Sequence, residues 1–237
     1  MATALSKKTK ILGKNNDGYT LIELLVVMAI ISALFLVSWA GFYGLNTTMR
    51  LRQASENMKS DIVYAQRAAM LLKRDVGENW VSGIGIDLRD MYNNDDDLRY
   101  TLFKWCSSSP NYVDFEDNIP NFPEDYNTGS DACITGSNEL VVLPNKKNIL
   151  VSSSGMGFRK GRDGLSDSTD RDADALAFIV FESVTGIPHF FDEGGGYISE
   201  PSDVEYELLL NIRNRTNGVY VEKAGDVGLL LNFEFED

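Results

Sequence analysis

Histidine is nearly absent from this 237-residue chain: His189 is the only one. It stands beside Pro188 in an apolar run, with no Ser/Asp or Cys/His set around it, so a structural role is expected rather than a catalytic one. Cysteine is almost as scarce. Cys106 and Cys133 form no metal-ligand spacing with His189. Gly194-Gly195-Gly196 lacks the following lysine and the helix that a phosphate loop needs. No catalytic residue, bound metal or cofactor is therefore expected. Basic residues are also in deficit, with 22 Lys and Arg against 35 Asp and Glu, a formal charge of −13. Such a surface repels phosphate backbones and argues against broad nucleic-acid binding. Arg213, Arg215 and Lys223 near the C-terminus are the exception, and they keep a local DNA contact open as a minor reading, although Glu205, Glu207, Glu222 and Asp226 share that stretch.

The two cysteines lie 27 positions apart in a stretch rich in Gly, Pro, Ser and Asn. An oxidising compartment would favour a disulfide between them, and the alternative is two free thiols. Closing a loop of that size stabilises by ~3–4 kcal/mol in the chain-entropy model. Further on, Asp163, Asp167, Asp170, Asp172 and Asp174 cluster around Arg162 and Arg171. Ala175 and Phe181 stand where an EF-hand requires glycine and glutamate, so a solvated acidic loop is expected, with a calcium site of another kind left open.

Formal charge is missing altogether from Leu24 to Leu45. As a helix this run reaches ~33 Å, enough for a bilayer core of ~30 Å. The lysines before it (Lys7, Lys8, Lys10 and Lys14) would stay cytoplasmic, placing the rest of the chain outside. Three readings compete. A secretory signal peptide has a basic start, an apolar stretch and a small-x-small cleavage site, which Ser38-Trp39-Ala40 supplies. A signal anchor needs only the apolar run and its lysines. Neither accounts for Glu23, a carboxylate at the edge of an apolar helix, where an ionised group is costly and calls for a partner.

Lys14-Asn-Asn-Asp-Gly18, followed by Tyr19-Thr20-Leu21-Ile22-Glu23 and the apolar run, resembles the class III signal of type IV prepilins: a short basic leader, Gly, an aromatic, Thr-Leu-Ile-Glu and a long apolar helix. The resemblance implies that a prepilin peptidase cuts after Gly18 and that Tyr19, the new N-terminus, is N-methylated. It also implies that Glu23 neutralises the terminal amine of a neighbouring subunit inside a helical bundle, where a paired charge is tolerable and an unpaired one is not. Losing the leader's net +3 would take the chain from −13 to −16. Tyr19 replaces the usual Phe. No proline precedes Pro110, whereas many relatives carry one near the position of Ala40; Gly41 and Gly44 are the only weak points, at ~1 kcal/mol each relative to Ala.

The helix is expected to continue. Leu51, Ala54, Met58, Ile62, Ala65, Ala69 and Leu72 recur at helical spacing, with Arg50, Arg52, Glu56, Lys59, Asp61 and Arg67 on other faces, and Gly77 is a plausible stop behind Lys73 and Arg74. After Gly77 the chain breaks into short β-type runs: 80–88 and 98–104 as a hairpin about the polar turn Asn93–Asp97, then 139–143, 149–152, 176–182, 187–191, 206–213, 218–223 and 227–235. Gly/Asn-rich connections separate the last three. The expected fold is α+β, a long N-terminal helix packed on an antiparallel head domain. The expected division is a cleaved leader at 1–18, a helix over 19–76 whose part to about 45 spans the membrane, and a periplasmic head at 77–237.

Val81-Ser-Gly-Ile-Gly-Ile86 and Gly218-Val-Tyr-Val-Glu-Lys-Ala-Gly225 also resemble segments of the FimT/GspH minor pilins and pseudopilins, relative to which the Cys106–Cys133 segment looks like an insertion, a contact loop or a solvated one. The resemblance implies a minor pilin or pseudopilin of a type IV pilus or type II secretion pseudopilus. Its partners would be the prepilin peptidase, other such subunits and the bacterial inner membrane. A DNA-holding tip or competence subunit and a major pilin are the alternatives.

Overall fold

Residues 19–72, 77–93, 98–107, 115, 122–123, 126–127, 132–134, 137–152, 156–163, 176–198, 205–212 and 215–233 are described by the structure, a computed structural model. The chain divides into two compact units, Met1–Asn46 and Thr47–Asp237. In the first, helix α1 (Leu21–Met70) begins, and it passes through Gly41 and Gly44 without interruption. Every described side chain from Tyr19 to Leu36 is exposed. Among the described residues no helix is long and apolar enough to cross a membrane. The side chains of residues 37–44, inside the charge-free run, lie outside the described residues, and so do the leader and Gly18.

In the second unit α1 buries the stripe that helical spacing predicts: Leu51, Ala54, Met58, Ile62, Ala65 and Ala69 are all buried. The helix stops earlier than expected. It ends at Met70, where Leu71 N–H still reaches the Arg67 carbonyl and Leu72 N–H the Ala69 carbonyl, and Leu72 itself turns left-handed at φ 48°. Gly77 has φ 90° but lies beyond the helix, and Lys73 and Arg74 fall outside the described residues.

The fold is α+β with antiparallel sheets. Strands β1 (Val81–Asp87), β2 (Leu98–Cys106), β3 (Glu139–Val142), β6 (Leu176–Glu182) and β7 (Pro188–Asp192) form a sheet in the order β3-β2-β1-β6-β7, with β4 (Ile149–Ser152) also paired to β2. Strands β5 (Gly157–Asp163), β8 (Glu205–Ile212), β9 (Arg215–Glu222) and β10 (Val227–Phe233) form the second, in the order β10-β9-β8-β5. The expected hairpin of β1 and β2 is present, but its connection holds a short helix, α2 (Asp90–Asn93). Strand β5 has no counterpart in the sequence reading. Gly-Phe-Arg-Lys-Gly-Arg-Asp offers no alternation of apolar residues; its pairing with β8 places it.

Strand alternation sorts the first sheet into two buried faces. Ile84, Ile86, Tyr100, Leu102, Ile179 and Phe181 join the α1 stripe and the inward residues of the second sheet, among them Tyr206, Leu208, Leu210, Val219 and Val221, in one core. Phe103, Trp105, Phe178, Val180 and Phe191 face the other way. They are covered by the segment between the cysteines, which sends in Phe115 and Phe122, both buried, and half-buried Tyr126. Trp105 meets Phe115 and Phe122 edge-on at 5.4 and 5.0 Å, and Phe122 stacks on Phe191 at 4.6 Å. The segment is therefore not merely solvated: its described aromatics close a second core. Gly85 makes room for that core, since a Cβ there would lie 2.8 Å from the Phe103 ring and 2.6 Å from the Ile179 carbonyl.

Two further contacts tie α1 to the sheets. Gln66 Nε2 donates to the carbonyls of Gly225 (2.6 Å) and Gly186 (3.3 Å), so one side chain holds the β9–β10 turn and the β6–β7 turn together. Asp61 accepts from Tyr100 Oη at 2.8 Å and from Lys146 Nζ at 2.5 Å. It is a fixing point on α1 rather than part of a solvated face.

Candidate functional site

The first candidate is the start of α1. Thr20 occupies the N-cap position and Glu23 the third helical position. Glu23 Oε2 accepts from the Thr20 N–H and from its hydroxyl, each at 2.9 Å, and the Glu23 N–H donates to Thr20 Oγ1 at 3.4 Å. This is the reciprocal capping box of Thr-x-x-Glu, which satisfies two donors that a helix N-terminus otherwise leaves open. Glu23 thus has a partner within its own chain as well, one that the Thr20-x-x-Glu23 pattern signals in the sequence. Tyr19, just before the cap, is 86% exposed. The first turns thus present an exposed residue, a capped N-terminus and an anion set among exposed Leu21, Ile22, Leu24 and Leu25.

The second is the cysteine junction. Cys106 at the end of β2 is bonded to Cys133, with Cα atoms 5.3 Å apart. Glu78 sits beside them, 1% exposed at its side chain, and accepts from Lys104 Nζ at 2.8 and 2.9 Å and from the Cys133 N–H at 3.0 Å. Asn79 adds two bonds, its N–H to the Cys133 carbonyl at 2.6 Å and its Nδ2 to the Ile134 carbonyl at 2.9 Å. Lys104 is buried as well, so the two charges are paired out of reach of solvent. The chemistry is that of a structural clamp.

His189, the lone histidine, is buried on β7. It stacks on Phe115 at 4.4 Å, and its Nε2 lies 3.8 Å from Glu182 Oε2, which also accepts from the Thr185 hydroxyl at 2.6 Å. Burial pushes the imidazole down to about 4; nearby Lys223 adds to this and Glu182 opposes it. An unfolded histidine titrates near 6.5, so between pH 6.5 and 4 the unfolded chain holds the extra proton and stability falls as pH falls. His189→Gln should remove this dependence. Urea unfolding at pH 7.5 and 4.5 should show the wild type losing ~2–3 kcal/mol more than the variant between the two. Equal losses in the two proteins would refute the assignment.

The basic residues of the DNA reading are not brought together. Arg215 opens β9 and Lys223 follows its last residue, so eight strand steps, ~26 Å, separate them. Arg213 lies outside the described residues, as does the acidic run from 164 to 174; Asp163 closes β5. Among the described residues no group of His, Cys, Asp or Glu is placed to hold a metal.

The prokaryotic N-terminal methylation motif matches residues 13–39, which span the leader's end, the capping box and the first turns of α1. The chain therefore carries a type IV prepilin-like class III signal. Neither the curated proteins nor the solved structures contain a match to the chain.

Proposed function

We propose that this chain, pilin-like or pseudopilin-like by its N-terminal signal, is a minor pilin or pseudopilin that joins a filament through the first half of α1. The observation that carries the reading is the methylation motif continued by an uninterrupted helix whose described side chains from Tyr19 to Leu36 all face outward. An apolar surface of that extent needs a bilayer or neighbouring helices to cover it. The run Leu24–Leu45 anchors the protein in the inner membrane with the β-rich unit in the periplasm. A prepilin peptidase removes residues 1–18, cutting after Gly18, and Tyr19 becomes the N-methylated terminus. The disulfide between Cys106 and Cys133 suits that location, since bonds of this kind persist in oxidising compartments.

Mass spectrometry of the membrane-extracted protein tests this. Co-produced with a prepilin peptidase, it should begin at N-methylated Tyr19. A terminus at Ala40 or Gly41 would make the segment a secretory signal, and retention of Met1 would make it a plain anchor; either outcome ends the proposal.

A further inference from the structure

A cleft of about 780 Å³ opens on the second unit, where the end of β1, the β3–β4 connection and the covering segment meet. Its floor is a fixed polar unit. Asp87, buried on β1, accepts from Tyr126 Oη at 2.7 Å, from Arg89 Nη2 at 2.9 Å and from the Arg89 N–H at 2.9 Å. The Arg89 guanidinium in turn lies 4.6 Å over the Phe178 ring. A local partner, Arg89, and a distant one, Tyr126, thus meet on one carboxylate, and the floor rearranges only by breaking these bonds.

The wall opposite is rigid too. Asn145 and Asn148 hold left-handed backbones at φ 61° and 50°, conformations unusual for residues other than glycine. The Asn148 N–H is tied to Thr101 Oγ1 at 3.2 Å. The loop is closed further by Leu102 N–H to the Lys146 carbonyl and Lys146 N–H to the Leu143 carbonyl. Two amide side chains therefore line the cleft from a braced loop: Asn145 offers donors and an acceptor, while Asn148 Oδ1 accepts from the Thr101 hydroxyl at 3.4 Å and leaves its amide N–H groups to a ligand.

Charge decides what such a cleft takes. Asp87, Asp90 and Glu193 line it against Arg89 and Lys147, and Asp87 is already engaged with Arg89. A phosphate or other anion would meet an excess of carboxylates on a chain already at −13. A divalent cation finds no cluster of ligands among the described residues. Apolar surface for a lipid or hydrophobic ligand is limited to Val142, Leu143, Pro144 and the Tyr126 ring. What remains is a neutral molecule dense in both donors and acceptors, and the volume falls within the range of small-molecule sites. We infer that this cleft is a binding site for a neutral oligosaccharide, its hydroxyls read by Asn145, Asn148 and the rim charges above the Asp87–Arg89–Tyr126 floor.

The test uses the full-length protein in a sugar-free detergent such as lauryldimethylamine oxide, with chitotriose and maltotriose as probes followed by saturation-transfer NMR. Saturable transfer to at least one trisaccharide is expected. Asn145→Gly and Asn148→Gly remove the amides while keeping a residue at ease in the left-handed backbone. At least one of them should weaken binding by about fivefold or more, the loss of one to two hydrogen bonds. Absence of transfer from both sugars, affinity unchanged in both variants, or displacement of the sugar by inorganic phosphate would each overturn the inference.

Discussion

Glu23→Ala is expected to leave cleavage after Gly18 intact and to remove the protein from sheared filaments. Under the proposed processing, cleavage is read at the membrane surface from the leader and Gly18, five residues before this side chain. Incorporation, under the proposed role, places Glu23 among apolar helices beside the methylated amine of a neighbour. The methyl group of alanine would leave that amine buried without a counter-charge, and breaking one half of a buried pair costs more than the pair itself contributes. Immunoblots of membrane and sheared fractions measure both effects at once: mature protein in the membrane, none in the filament. Normal amounts in the filament would refute the docking role.

The capping box adds a competing explanation that the same substitution cannot separate. Glu23 already has partners in its own chain, the N–H and hydroxyl of Thr20. Glu23→Ala therefore removes a helix cap as well as a charge. Glu23→Gln distinguishes the two, because glutamine also serves at the third position of a capping box while carrying no charge. If the neighbour's amine is the partner that matters, Glu23→Gln fails in filaments as Glu23→Ala does. If the cap alone matters, it incorporates normally. Under the first outcome, the free subunit uses Thr20 to hold the carboxylate until assembly supplies the amine, a hand-over between two partners at the same oxygen.

Sequence periodicity reached most of the framework and little of what closes it. The α1 stripe from Leu51 to Ala69 was legible because burial on one helix face imposes its own spacing, and β4 and β6 were legible to the residue because short apolar runs bounded by turns mark strands. Strand β5 was not, since Arg159, Lys160 and Arg162 occupy it and only the pairing with β8 makes it a strand. The helix end at Met70 was also hidden: Leu72 takes the left-handed position normally expected of glycine. Above all, the polar composition between Cys106 and Cys133 concealed Phe115 and Phe122. Two aromatics in a Gly/Pro/Asn-rich stretch have no periodicity, and their burial depends on a sheet face assembled from four other strands. For the candidate site the balance is reversed. Gly18, Tyr19 and Glu23 form a local string that sequence shows in full, whereas the cleft above Asp87 joins residues from 87 to 193 and exists only in the fold.

Opening the cysteine junction is expected to unfasten that second core. A Cys106→Ser, Cys133→Ser double variant releases a loop of 27 residues' separation, at ~3–4 kcal/mol from chain entropy. Because the same segment delivers Phe115 and Phe122 onto Trp105 and Phe191, its loosening should also expose aromatic surface, visible as dye binding below the main unfolding transition. Lys104→Met attacks the junction from the other side. It removes the cation from beside Glu78, 1% exposed and bonded also to the Cys133 N–H, and loss of one member of a buried pair costs ~3–5 kcal/mol. Glu78 holds the backbone of the very cysteine that the disulfide fixes, so the two perturbations are not independent. Combined, they should destabilise by clearly less than the sum of the separate losses in urea unfolding, since the second acts on a junction that the first has opened. Additive losses, or a disulfide-free variant with wild-type stability and no dye binding, would show that the aromatic core stands without its clamp.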